Sequence, residues 1–149
     1  MVSQTAEYAL RAVVYLAMNP GPRTTEEIAA STKVPPAYLS KIMSAMTRAG
    51  LVASRRGVRG GFVLTKEPQD ITILSAMSTV EPIYRVKSCP IPHADDNAHL
   101  CPLHQKLDAA FANAERVLAQ ASISDIIEQQ QNNTPLCILP SQSFAESRV

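Results

Sequence analysis

Apolar positions in the first half of the chain fall into helical spacing, broken at intervals by residues that stop or start helices. From Gln4 to Met18, residues Ala6, Leu10, Val13, Val14 and Ala17 recur at i, i+4, i+7, i+8 and i+11, which predicts an amphipathic helix. Asn19-Pro20-Gly21-Pro22 ends it. Thr24 and Glu27 have the spacing of a capping box, so a second, short helix opens there with Ile28 and Ala29 on its inner side. Ser31 to Val34 reads as a turn. Pro35-Pro36 opens a third helix, Pro36 to Ala49, since a proline in the first turn loses no helical hydrogen bond. Leu39, Ile42, Met43 and Met46 form its inner stripe, and Gly50 closes it. The period then shortens. Leu51-Val52-Ala53 and Phe62-Val63-Leu64 flank a stretch with three arginines and three glycines, which reads as two strands joined by a tight reversal.

Helix, short helix, turn, helix and basic hairpin is the order of a winged helix-turn-helix. The expected fold is therefore mainly α with a small β-hairpin wing, its DNA-binding unit spanning residues 1–80 and followed by a long dimerisation helix. In such a unit the third helix lays its N-terminal residues in a major groove. Tyr38, Ser40 and Lys41 lie outward near its start, and Ala37 is small enough for close approach. Arg55, Arg56 and Arg59 sit at the wing, where guanidiniums can make forked hydrogen bonds to phosphates or guanine edges. A basic hairpin alone is more often a solvated loop, so the charge distribution matters. The net charge is only +1, yet residues 1–66 carry nine Lys/Arg against three Glu, and the remainder five basic against ten acidic residues. A polyanion-binding front half and a back half with another task follow from that asymmetry.

Ile71 to Val80 predicts a fourth helix, with Ile73, Met77 and Val80 packing inward. Between Lys87 and His104 the composition changes: two of three cysteines (Cys89, Cys101) and all three histidines (His93, His99, His104) fall among prolines. Proline density forbids regular structure until Pro102, so residues 81–101 are expected to form an irregular loop. From Pro102 to Glu128 a helical stripe returns through Leu103, Leu107, Ala110, Phe111, Ala114, Val117, Leu118 and Ala121, with no partner evident elsewhere in the chain. Isolated helices are marginal in water, so the stripe is expected to pair with its own copy in a two-fold homodimer that presents two wings to a palindromic operator. Residues 129–149, rich in Gln, Asn, Pro and Ser, are expected to be a poorly ordered tail, with Cys137 incidental.

Other classes recede on composition and motifs. The 46% hydrophobic fraction is that of an ordinary globular protein, no apolar run reaches the roughly 20 residues of a membrane span, and no signal-peptide pattern opens the chain. A cytoplasmic location is expected. Cys101 and His104 could in principle serve nucleophilic catalysis, but no phosphate-binding glycine loop, paired carboxylates or nucleophile elbow accompanies them, so no enzyme is expected.

Several segments resemble the IscR/NsrR/CymR-type family of bacterial winged helix-turn-helix transcriptional regulators. They are Glu7-Tyr8-Ala9-Leu10-Arg11-Ala12, Tyr38-Leu39-Ser40-Lys41-Ile42, Arg56 to Leu64, and Cys101-Pro102-Leu103-His104. The wing segment is the most specific. The resemblance implies a homodimeric regulator, by the family's habit a repressor, with a wing arginine in the minor groove and Arg59 the first candidate. It also implies a sensing back half, with residues 81–101 as its sensor loop. Cluster-binding members carry C-x5-C-x5-C, some with a histidine three residues on; here Cys89, Cys101 and His104 keep that frame, but the middle position is Asp95.

Three sensing chemistries stay open. A 2Fe-2S cluster would take Cys89 and Cys101 as thiolate ligands, with His104, Asp95 or, across a dimer, Glu7 completing the set, since non-thiolate ligation of one iron is established chemistry. Cys89 and Cys101 could instead act as a thiol switch, or join His93 or His99 and His104 around zinc. A fourth possibility leaves the thiols idle, with a small ligand or protein partner as the signal.

Overall fold

A computed structural model describes residues 2–90 and 100–131. Helix α1 (Gln4–Met18) starts at Ser3, whose side chain accepts from the Ala6 amide, and ends where Asn19 turns both its amide and its side chain onto the Tyr15 carbonyl. Helix α2 (Thr25–Thr32) has the complete capping box: Glu27 N–H donates to Thr24 Oγ1 at 3.2 Å, and Thr24 N–H to Glu27 Oε2 at 2.7 Å. It runs through Thr32 and is stopped by Lys33 in the left-handed region, so the expected turn is shorter than Ser31 to Val34. Helix α3 (Pro36–Arg48) ends in a Schellman motif. Gly50, at φ +73°, donates to Thr47 O, and Leu51 donates to Met46 O. Leu51 and Met46, both buried, make the apolar contact that accompanies this cap.

Strands β1 (Val52–Arg55) and β2 (Gly61–Leu64) pair antiparallel in the register Val52↔Leu64 to Arg55↔Gly61. The other edge of β2 is also occupied, because Arg23 and Phe62 exchange both backbone hydrogen bonds, at 3.1 and 2.8 Å. That close approach requires glycine at position 61, where a Cβ would lie 2.5 Å from the Arg23 carbonyl oxygen. The hairpin is thereby stitched to the chain entering α2.

The core lies where α1, α2 and α3 meet the hairpin, around Ala9, Val13, Tyr15, Ile28, Leu39, Met43 and Met46. After a short 3-10 turn (Pro68–Asp70), Ile71 is extended and fully buried, and helix α4 is confined to Ile73–Ser78 with Thr72 as its cap. The expected helix from Ile71 to Val80 is thus trimmed at both ends, since Thr72 supplies a better start by capping the Ser75 amide. Within it Ala76 and Met77 are the buried residues, while Ile73 is half-buried.

The long helix departs most from expectation. It is two helices, α5 (Pro102–Gln120) and α6 (Ile123–Gln131), with Ala121 extended between them. Ser122 and Asp125 make a new capping box: Ser122 N–H donates to Asp125 Oδ2 at 2.8 Å, and Asp125 N–H to Ser122 Oγ at 3.1 Å. Ile73 donates to Ala121 O and Ile123 to Ile71 O, so this joint pairs with the start of α4. Ile123 is then driven into the core at 0% exposure, and α6 packs on α1 and the 3-10 turn. Nor does α5 lack every partner. α4 and the segment 81–90 cover one side of it, while Leu103, Leu107 and Val117 remain exposed.

Candidate nucleic-acid interface and thiol–imidazole site

The hairpin reversal is fixed by backbone geometry. Gly57 has φ +118°, Gly60 N–H donates to Gly57 O at 2.9 Å, and a Cβ at Gly60 would sit 2.5 Å from the Arg55 carbonyl oxygen. Only glycine fits these requirements, and the result pushes Val58 and Arg59 outward at the tip. Arg55, Arg56 and Arg59 are all exposed. On α3, Tyr38, Ser40 and Lys41 are exposed at the N-terminal end, where the Tyr38 and Leu39 amides both donate to the Pro35 carbonyl at 3.0 Å. The Ser40 hydroxyl donates back to Pro36 O at 3.0 Å. Tyr38 meets Tyr8 edge-on at 6.4 Å, and the Arg11 guanidinium lies over the Tyr8 ring, so α1 braces the exposed start of α3. The motif Glu7-Tyr8-Ala9-Leu10-Arg11 contains that brace, but its contact with α3 depends on the fold.

The second site is at the N-terminal end of α5. Cys101 is the N-cap of α5 and Pro102 its first residue. Cys89 arrives from the segment 81–90, and the ligand atoms of Cys89, Cys101 and His104 all lie within 4.8 Å of one another. Cys101 N–H donates to Cys89 Sγ at 3.2 Å, and Cys101 Sγ stands 3.1 Å from His104 Nδ1. The backbone and imidazole of His104 together hold the Cys101 thiol down to about 6, against partial desolvation. A thiol at a helix N-terminus beside an imidazole is where a low value is expected. Glu7 belongs to neither cluster; it is exposed on α1 and paired with Arg11. Asp95, like His93 and His99, lies outside the described residues, as does the expected tail from residue 132 on with Cys137, whereas residues 129–131 belong to α6.

Residues 2–129 match the Rrf2 family, described as iron-dependent transcriptional regulators. The chain belongs to the Rrf2 family. Among relatives of this regulator is a protein of Aquifex aeolicus provisionally described as an HTH-type transcriptional regulator. It is 33% identical over 135 residues, covering 88% of this chain and 94% of the relative. The structure of B. subtilis CymR, titled the global cysteine regulator, superposes with a TM-score of 0.70 at 26% identity, covering 87% of this chain and 97% of CymR. T. potens IscR shares the fold with a TM-score of 0.75 at 22% identity, covering 91% and 92% of the two chains. This Rrf2-family chain is therefore a DNA-binding transcriptional regulator and not an enzyme. No helix among the described residues is long and apolar enough to cross a membrane.

Sequence reasoning missed one polar feature. Arg85 donates through Nε and Nη2 to both oxygens of Asp108, at 2.7 Å each, and through Nη1 to Glu115 at 3.1 Å. Val86 N–H adds a bond to Asp108 Oδ1 at 3.0 Å. The Arg85 guanidinium holds the Asp108 carboxyl below the usual carboxylate range. The seven-residue spacing of Asp108 and Glu115 on one helix face was the only signal available. It does not name the arginine.

Proposed function

We propose that this Rrf2-family regulator binds a palindromic operator as a homodimer, as a repressor, and that a 2Fe-2S cluster at Cys89, Cys101 and His104 sets its hold on DNA. The observation that carries the reading is the convergence of two thiols and an imidazole at the root of α5, in a family described as iron-dependent. The donor set fits: thiolates and imidazole suit iron–sulfur clusters. With its pKa near 6, Cys101 is available as thiolate at neutral pH. A fourth ligand would be Asp95, or Glu7 of the partner subunit. When bound, such a cluster supplies one-electron redox chemistry and reactivity toward oxidants. The chain's own residues do the rest. His104 keeps Cys101 deprotonated, and the exposed Leu103, Leu107 and Val117 offer α5 a surface to pair with its copy. On DNA, Tyr38, Ser40 and Lys41 face the major groove, Arg59 the minor groove, and Arg55 and Arg56 the phosphates. Coupling of the order of 1–3 kcal/mol between the two sites would change occupancy several-fold to a hundredfold.

Anaerobic purification followed by a visible spectrum and iron and sulfide determination tests this. Coloured protein that loses its absorbance in Cys89→Ala and Cys101→Ala is the expected result. Colourless wild type without iron or sulfide overturns the cluster. A second reading rests on the short approach of the Cys101 amide to Cys89 Sγ: the two thiols then act as a metal-free switch. Zinc would appear in the same metal determination. In every case operator affinity should fall steeply with salt, by about 0.9 in log–log slope per phosphate neutralised; a flat response removes the DNA contacts assigned here.

A further inference from the structure

Cys89 reaches the thiol–imidazole site from a segment, residues 81–90, that has no regular secondary structure. Its position must be fixed by something other than a backbone ladder. The candidates lie along one stripe of α5: Cys101, His104, Asp108, Phe111 and Glu115 recur at spacings of three and four, so they share a face. The segment runs down this stripe in the opposite direction. Tyr84 meets Phe111 edge-on at 6.1 Å, Arg85 and Val86 hold Asp108, and Cys89 lies at Cys101. The lengths agree. Tyr84 to Cys89, extended, spans about 16 Å, and Phe111 to Cys101 along the helix about 15 Å. Segment and helix are therefore in register from the aromatic pair to the cysteines.

The centre of that register is polar. Arg85 is bidentate on Asp108, a geometry that fixes direction as well as distance. The same Asp108 oxygen that takes Arg85 Nε also takes the Val86 amide. Val86 itself is buried. Pairs this exposed add little to stability, so the clamp's consequence is placement rather than folding. We infer that Arg85 and Asp108 are positioning residues of the sensor site, holding Cys89 within reach of Cys101 and His104. This rests on the sensor reading for its biological meaning, but the geometry stands or falls without any bound group.

The test uses metal-free, full-length protein carrying Cys137→Ser, so that Cys89 and Cys101 are its two remaining thiols. Diamide serves as oxidant: the two thiols lose two protons and two electrons and form one S–S bond, and diamide takes up both as the hydrazine. The rate of intramolecular closure is read by mass, as the loss of two hydrogens. Arg85→Ala and Asp108→Asn should each slow closure at least about tenfold, and Arg85→Lys should recover part of the rate. Thr24→Ala, which weakens the distant α2 cap, should lower the melting temperature while closure keeps the wild-type rate. Wild-type rates in the Arg85 and Asp108 variants would overturn the inference, and so would a wild type that forms no Cys89–Cys101 disulfide. Slowed closure in the variants of a protein that never acquires iron would support the clamp while removing the cluster.

Discussion

The winged unit and helix α5 use the same residue vocabulary to opposite ends. In the first, Ala, Val, Ile, Leu and Met disappear from solvent: α1 buries seven of its fifteen residues, and α3 buries Leu39, Ile42, Met43 and Met46. In the second, no residue of a nineteen-residue helix is buried, and Leu103, Leu107 and Val117 are 64%, 43% and 51% exposed. A large apolar side chain gains about 1.5–3 kcal/mol on burial, so the winged unit contains its own reason to fold. Helix α5 is held instead by its packing on α4, the bond from Ile73 to the Ala121 carbonyl and the Tyr84–Phe111 contact, and it leaves an apolar surface exposed. The first region buries its apolar face within the chain; the second leaves one exposed.

The strongest way to break this contrast is to remove a core side chain. Met46→Ala, at 0% exposure beneath the α3 cap, should cost about 2–5 kcal/mol in denaturant unfolding, whereas a similar truncation at Leu107 should change single-chain stability little. Equal losses at both sites would mean that α5 is as much core as α3. Next in size, Leu107→Asp should shift sedimentation toward a single chain, since each large apolar side chain buried between copies would contribute about 1.5–3 kcal/mol. An unchanged sedimentation coefficient would remove that face as the pairing surface. Arg59→Ala should weaken operator binding by about 1–3 kcal/mol and relax preference for A/T-rich flanks, because arginine favours narrow minor grooves. Uniform weakening on all sequences would make Arg59 a phosphate contact instead.

The smallest effect concerns acid. The folded Cys101 thiol titrates near 6, below its ordinary 9.0. A depressed thiol pKa contributes stability that is present above the ordinary value and is lost as pH falls through about 6. In metal-free protein, iodoacetamide should therefore alkylate Cys101 at a rate that rises through pH 6 and then levels, whereas an ordinary thiol is still gaining at pH 8. Peptide mapping that shows Cys101 rising only near pH 9 would remove His104 as its activator.

Much of the winged unit was legible because its signals are local. Thr24 and Glu27 announce a capping box, Pro36 a helix start, Gly50 a helix end, and each is found in that role. The hairpin was equally legible, since Gly57, Gly60 and Gly61 confine the reversal and leave the arginines exposed. The break between α5 and α6 was present as Ser122 and Asp125, yet the apolar stripe runs on through Ala121 and hides it. What stops the helix there is a tertiary event: the Ala121 carbonyl accepts from Ile73, and Ile123 fills the core. The thiol site was half legible. Cys101 and His104 are helix neighbours, but the arrival of Cys89 depends on Arg85 meeting Asp108 across 23 positions of sequence.

The joint at Ala121 has a mechanical meaning. There α5 is riveted to the start of α4, and α4 packs against α1. Helix α5 is then a spar anchored to α4 at its C-terminal end, with the thiol–imidazole site at the other. Its nineteen residues give a length of about 28 Å, so a pivot of about 5° at the rivet swings Cys101 by about 2.5 Å. The converse holds too. A displacement of that size at the cysteines, with α5 turning as a rigid rod, would reach the base of the winged unit as a change of angle.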